Sequence, residues 1–133
     1  MTELIIASIM TMMTAATPLV FAATGELVAE KSGVLNLGVE GMMLIGAVFG
    51  FAAVTLTGEP LIGLAAAIVM GMLASMIFGV LTLSLLSNQV ATGLALTIFG
   101  TGLSALVGLD YVGKTIEQIR AIHIPVLTDL PVV

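Results

Sequence analysis

A chain of 133 residues that is 59% hydrophobic and only 8% charged, with a mean hydropathy of +1.27, is far from the roughly 25% charged fraction of ordinary soluble domains. Its eight acids and three bases, net charge −5, fall in short connecting segments and form no basic patch, which excludes a nucleic-acid partner. With no cysteine and one histidine, His123, the chain offers no disulfide framework and no ligand set for structural zinc, haem or another metal, so no cofactor is expected.

The first apolar stretch, Leu4 to Gly25, follows Glu3 without a basic leader and reads as a retained membrane helix, not a cleaved signal peptide. Pro18 within it removes a backbone donor and frees a carbonyl near Thr14, which predicts a kink unless Thr14, Thr17 or a neighbour restores the bond. Between Gly25 and Glu40 lie Glu26, Glu30 and Lys31, then an apolar, glycine-punctuated half, Gly33 to Val39, for which re-entry into the membrane stays an open alternative. Asn36 and Glu40 stand four apart and, if helical, share one face beside Gly38, Gly41, Met42 and Met43. Two readings of Glu40 stay open: a costly intramembrane polar group lining a water-filled path, or an interfacial acid at a helix start, favourable to the macrodipole.

A second span covers Gly41 to Gly58, with Gly46 and Gly50 on it, and Gly58-Glu59-Pro60 marks a turn by combining two helix breakers with a charge. From Pro60 to Leu109 no charged residue occurs, and a run of about fifty such residues crosses a bilayer core twice at 1.5 Å per residue. The third span, Leu61 to Leu86, carries Gly63, Ala67, Gly71, Ser75 and Gly79 at every fourth position, a small-residue face through which helices in lipid come into close contact. Ser87-Asn88-Gln89 interrupts the run as a turn; Asn88 is read as the cap of the next helix, with a pathway role for Asn88, Gln89 and Thr92 as the alternative. The fourth span, Val90 to Leu109, presents Gly93, Thr97, Thr101 and Ala105 on one face, with Gly100, Ser104 and Gly108 beside it.

Gly108 to Thr115, GLDYVGKT, matches the phosphate-loop pattern G-x-x-x-x-G-K-T, but it follows a membrane span where that loop needs a buried strand and an α/β domain, so a nucleotide site is rejected. The bland reading places Tyr111 and Lys114 at the headgroup level. The polar tail, residues 110–133, includes Asp110, Lys114, Glu117, Arg120 and His123. No nucleophile, base and orienting acid occur together, which argues against an enzyme.

Three blocks carry a family resemblance. Thr17 to Gly46, TPLVFAATGELVAEKSGVLNLGVEGMMLIG, resembles the signature segment of inner-membrane permease subunits of ATP-binding-cassette importers, in the group that handles branched-chain amino acids, simple sugars and nucleosides. Ser87 to Thr97, SNQVATGLALT, resembles the second block, and Ile124 to Pro131, IPVLTDLP, the external loop that follows. The order is that of the family, and the chain is most similar to the sugar and nucleoside type. The resemblance implies a multi-pass protein of the cell's inner (plasma) membrane that pairs with a second permease subunit, receives cargo from an external solute-binding protein and is driven by cytoplasmic ATPase subunits. It covers the N-terminal half of such a permease; the loop that docks on the ATPase belongs to the later half. It also places the tail outside and the Lys31 loop inside, in keeping with Lys31 under the positive-inside rule but not with Lys114 and Arg120.

The sequence therefore predicts an all-α integral membrane protein, one transmembrane region over 1–133 with spans at about 4–25, 41–58, 61–86 and 90–109, and a re-entrant segment as an open alternative at 33–39. Pathway or gating candidates are Asn36, Glu40, Asn88, Gln89 and Thr92; packing is expected at Gly46, Gly50, Gly63, Ala67, Gly71, Ser75 and Gly79. The rival function is a self-contained small oligomeric protein of pore or lysis type, working in the same bilayer without an ATPase.

Overall fold

A computed structural model describes residues 2–116; Glu117, Arg120, His123 and the block Ile124 to Pro131 lie outside the described residues. Helix is the only regular structure among those described, in four long elements: α1 (Thr2–Lys31), α2 (Val39–Thr57), α3 (Pro60–Gly79) and α4 (Gln89–Gly108). All four are long and apolar enough to cross a membrane. Their outward faces are apolar too, with Leu61 and Ile98 about three-quarters exposed, and water would not tolerate a surface of that kind. The protein is an all-α membrane protein.

The turns form where the breakers stand. Gly58 takes the left-handed conformation (φ 74°) and its N–H reaches the Val54 carbonyl at 2.7 Å, closing α2. Pro60 then opens α3 at a position whose N–H has no helical partner to lose. Asn88 caps α4, its Oδ1 accepting from the Ala91 amide at 3.0 Å.

Two boundaries depart from expectation. α1 runs through Gly25 to Lys31, because one glycine costs only about 1 kcal/mol and the Glu-Leu-Val-Ala-Glu-Lys that follows favours helix. The helix also continues past Pro18, with the Thr14 and Thr17 hydroxyls donating one turn back, to the Met10 and Met13 carbonyls, and not to the carbonyl that proline frees. At the other boundary α3 does not stay α-helical to Leu86. It widens into a π turn at Val80–Ser84, where Leu85 N bonds Val80 O at 3.1 Å, and ends on Leu86 at φ 53° with Ser87 N on Leu81 O at 3.0 Å. A non-glycine residue in the left-handed region is strained, and π turns concentrate in functional regions.

α2 is the central element, flanked by α3 on one side and α4 on the other. Its contact with α3 is made by small residues: a Cβ added to Gly50 would stand 3.1 Å from the Gly63 carbonyl, and one added to Gly46 would stand 3.2 Å from that of Ala67. A Cβ at Gly63 would collide with Val54. The four-residue ladder of α3 thus divides. Gly63 and Ala67 touch α2, whereas Gly71 and Gly79 have nothing within 4 Å of an added Cβ and Ser75 is exposed. The contact with α4 is tighter, since a Cβ on Gly41 would come to 2.5 Å from the Leu96 carbonyl and one on Gly100 to 2.5 Å from the Gly41 carbonyl. α1 stands apart, with Ala22, Glu26 and Ala29 its only side chains between 4 and 31 that are not exposed.

Candidate functional site

After Lys31 the chain makes a turn and crosses to α2 as an irregular strap, Ser32 to Gly38. Gly33, at φ 84°, starts the reversal, with its amide on the Glu30 carbonyl at 2.9 Å and the Val34 amide on Ala29 at 3.0 Å. Past that turn the backbone has no helix to satisfy it. In a membrane protein such a segment survives only if protein groups supply the missing partners.

Side chains from α1, from α4 and from the strap itself do so. Gln89, in the first turn of α4, uses both ends of its amide: Oε1 accepts from Leu35 N at 2.7 Å and Nε2 donates to Gly33 O at 3.4 Å. Glu26 on α1 accepts from Asn36 N through Oε1 at 2.8 Å. Thr97 on α4 donates to Leu37 O at 2.9 Å. Asn36 closes an Asx turn, its Oδ1 accepting from Gly38 N at 2.9 Å, and its Nδ2 faces the Met42 sulfur at 3.7 Å. The strap can lie this close to α4 because Gly93 has no side chain; a Cβ there would stand 2.8 Å from Leu37 N.

The sequence-predicted candidates fall at different distances from this junction. Asn36 and Gln89 are in it, and Asn88 borders it as the cap of α4. Asn36 and Glu40 do not share a helix face, because Asn36 precedes α2 and the four-residue spacing has meaning only inside a helix. Glu40 is exposed in the first turn of α2, where a carboxylate suits the dipole. Thr92 is half-buried one turn along α4 from Asn88 and lines an apolar cleft of ≈ 500 Å³ between the ends of α3 and α4, with Phe78 and Phe99 among its walls. A second lobe of ≈ 550 Å³, between Met70 and Leu103, continues it.

Three residues of the junction were not singled out from the sequence as polar site groups: Glu26, Gly93 and Thr97. Thr97 and Gly93 signal themselves only as members of the small face of α4, and Glu26 only as one acid among several near a span end. Among the described residues no three His, Cys, Asp or Glu side chains converge on a metal-sized site. The phosphate-loop pattern sits on a helix end: α4 passes into a 3₁₀ turn, Leu109–Tyr111, and Lys114 places its Nζ 4.8 Å from the centre of the Tyr111 ring, which meets Phe51 edge-on at 6.3 Å.

Residues 8–124 match the family model described as branched-chain amino acid transport system / permease component. The chain is 43% identical over 123 residues to a protein of Haloferax volcanii named as a glucose ABC transporter permease, TsgC13, covering 90% of this chain and 37% of that one. It is 28% identical to the guanosine ABC transporter permease protein NupQ of Bacillus subtilis and 29% identical to the nucleoside ABC transporter permease protein NupC of Lactococcus lactis, with 88% of this chain and 40% of each relative covered. The chain therefore spans about two fifths of the length of the relatives it matches. No solved structure matches it.

Proposed function

We propose that this chain, which belongs to the family of branched-chain amino acid transport permease components, forms part of the translocation pathway of an ATP-driven importer of sugars or nucleosides. The observation that carries the reading is the strap. It is irregular backbone held at one end of a bundle of membrane helices by side-chain hydrogen bonds, the kind of element from which transporters build a route through lipid. Its partners come from the segments that resemble the first two family blocks, distant in sequence and joined here through Gln89 and Thr97.

In this reading Asn36 and Gln89 set the shape of the pathway wall, Asn88 fixes where α4 begins, Thr92 offers a hydroxyl inside the apolar cleft, and Glu40 stands exposed in the first turn of α2. The chain is one transmembrane region of the inner (plasma) membrane, with the tail from residue 110 outside and the Lys31 end inside. Hydrolysis of ATP belongs to separate cytoplasmic subunits, the pathway is completed by further permease helices, and an external solute-binding protein delivers cargo. The names of the relatives support glucose and nucleosides as the first substrates to try.

The test is uptake in proteoliposomes by a complete transporter: this chain co-expressed with a second permease subunit, ATPase subunits and a solute-binding protein of the same importer group. ATP-dependent accumulation of labelled glucose or guanosine, reduced by Gln89→Ala, is the expected result. Release of trapped dye by the chain without ATP would replace the importer with the self-contained pore.

A further inference from the structure

We infer that Glu26 is a positioning residue whose carboxylate ties α1 to the strap, and through the strap to the bundle of α2, α3 and α4. Helix packing gives α1 little purchase. Its side chains are exposed from Leu4 to Phe21, and the half-buried ones, Ala22, Glu26 and Ala29, form one short face near its C-terminal end. On that face Glu26 makes the one side-chain hydrogen bond, among the described residues, that links α1 to a segment beyond its own exit turn: Oε1 accepts from Asn36 N at 2.8 Å.

The second carboxylate oxygen of Glu26 marks what this pose costs. Oε2 is buried without a hydrogen-bond partner, which works against the pose, since a carboxylate gains by turning such an oxygen toward water. The bond through Oε1 to the Asn36 amide is what holds the carboxylate in this pose. Asn36, whose amide Glu26 holds, is also the residue that closes the turn into α2, so the bond fixes the register in which strap meets helix. An acceptor at this height is what the role needs, and a negative charge is not.

That distinction makes the inference testable without reference to cargo. The chain has no cysteine, so spin labels can be placed at will. One pair, Met12→Cys with Ile98→Cys, reports α1 against α4; a second, Met76→Cys with Leu106→Cys, reports inside the bundle, and all four native side chains are well exposed. In nanodiscs the unaltered background should give narrow distance distributions for both pairs. Glu26→Ala should widen the first about twofold and leave the second unchanged, and Glu26→Gln, which keeps the acceptor and removes the charge, should restore the narrow first distribution. A narrow first distribution in Glu26→Ala overturns the inference, because packing then holds α1 unaided. Widening of both pairs, or failure of Glu26→Ala to insert, overturns it in favour of a general folding role. A Glu26→Gln as broad as Glu26→Ala overturns the acceptor mechanism.

Discussion

The two flanks of α2 are held by different chemistry. Against α3 the contact is one of missing side chains, Gly46 and Gly50 meeting Gly63 and Ala67. Against α4 the same device operates at Gly41 and Gly100, but beside it the strap is bound to Gln89 and Thr97 by hydrogen bonds. Lipid explains why both are needed. Apolar burial drives little association between helices in a bilayer, so close van der Waals contact and interhelical hydrogen bonds carry the fold. They differ in what they permit: glycine contacts between backbones are rigid, whereas a strap fixed by a few side-chain bonds can change partners.

The largest effect should come from breaking the rigid contact where it is closest. Gly41→Leu puts a Cβ 2.5 Å from the Leu96 carbonyl, a backbone atom that cannot move aside, and should destabilise by about 3 kcal/mol or abolish folding. Gly71→Leu is the matched control: nothing lies within 4 Å of its Cβ, and the expected change is within about 0.5 kcal/mol. Denaturant titration of the two variants in detergent measures the difference. Equal losses would mean that Gly71 is covered by a contact outside the described residues.

Such pairs also show what a sequence can disclose. Spans, turns and the Asn88 cap are legible because each rests on a local rule: length and hydropathy, breakers at a boundary, a side-chain oxygen ahead of a helix. The ladder on α3 is legible as a face but not as a contact, since identical spacing at Gly63 and Gly71 says nothing of where α2 leaves α3. The candidate site was half visible. Asn36 and Gln89 stand out as amides in an apolar chain, but the pairing of Asn36 with Glu40 borrowed a helical period for a segment that is not helical. Glu26 and Thr97 remained hidden because their partners are backbone groups of the strap, and any residue could supply those.

The second prediction probes the changeable contact. Gln89→Ala removes the acceptor from Leu35 N and the donor from Gly33 O together, and should cost about 1–3 kcal/mol, with faster amide exchange at Leu35. The fall should be smaller than that of Gly41→Leu, and confined to the strap. Exchange that speeds equally through α2 and α3 would contradict a division of labour between rigid and changeable contacts.

The finest contrast lies within α4. Thr97 and Thr101 are one turn apart on the same helix, and both hydroxyls donate to a carbonyl, at 2.9 and 2.8 Å. Thr97 reaches across to Leu37 of the strap, whereas Thr101 bonds back to Thr97 within its own helix, where the carbonyl already serves the helical ladder. Thr97→Val keeps the shape and leaves the Leu37 carbonyl without its donor, for a loss of about 1 kcal/mol; Thr101→Val should change stability by a few tenths at most. The sign of the difference, read from thermal unfolding in one detergent, decides whether the strap is bound to α4 or merely lies against it. Equal melting temperatures for the two variants would leave Gln89 as its only anchor on that helix, and the hydrogen-bonded half of the comparison would reduce to a single side chain.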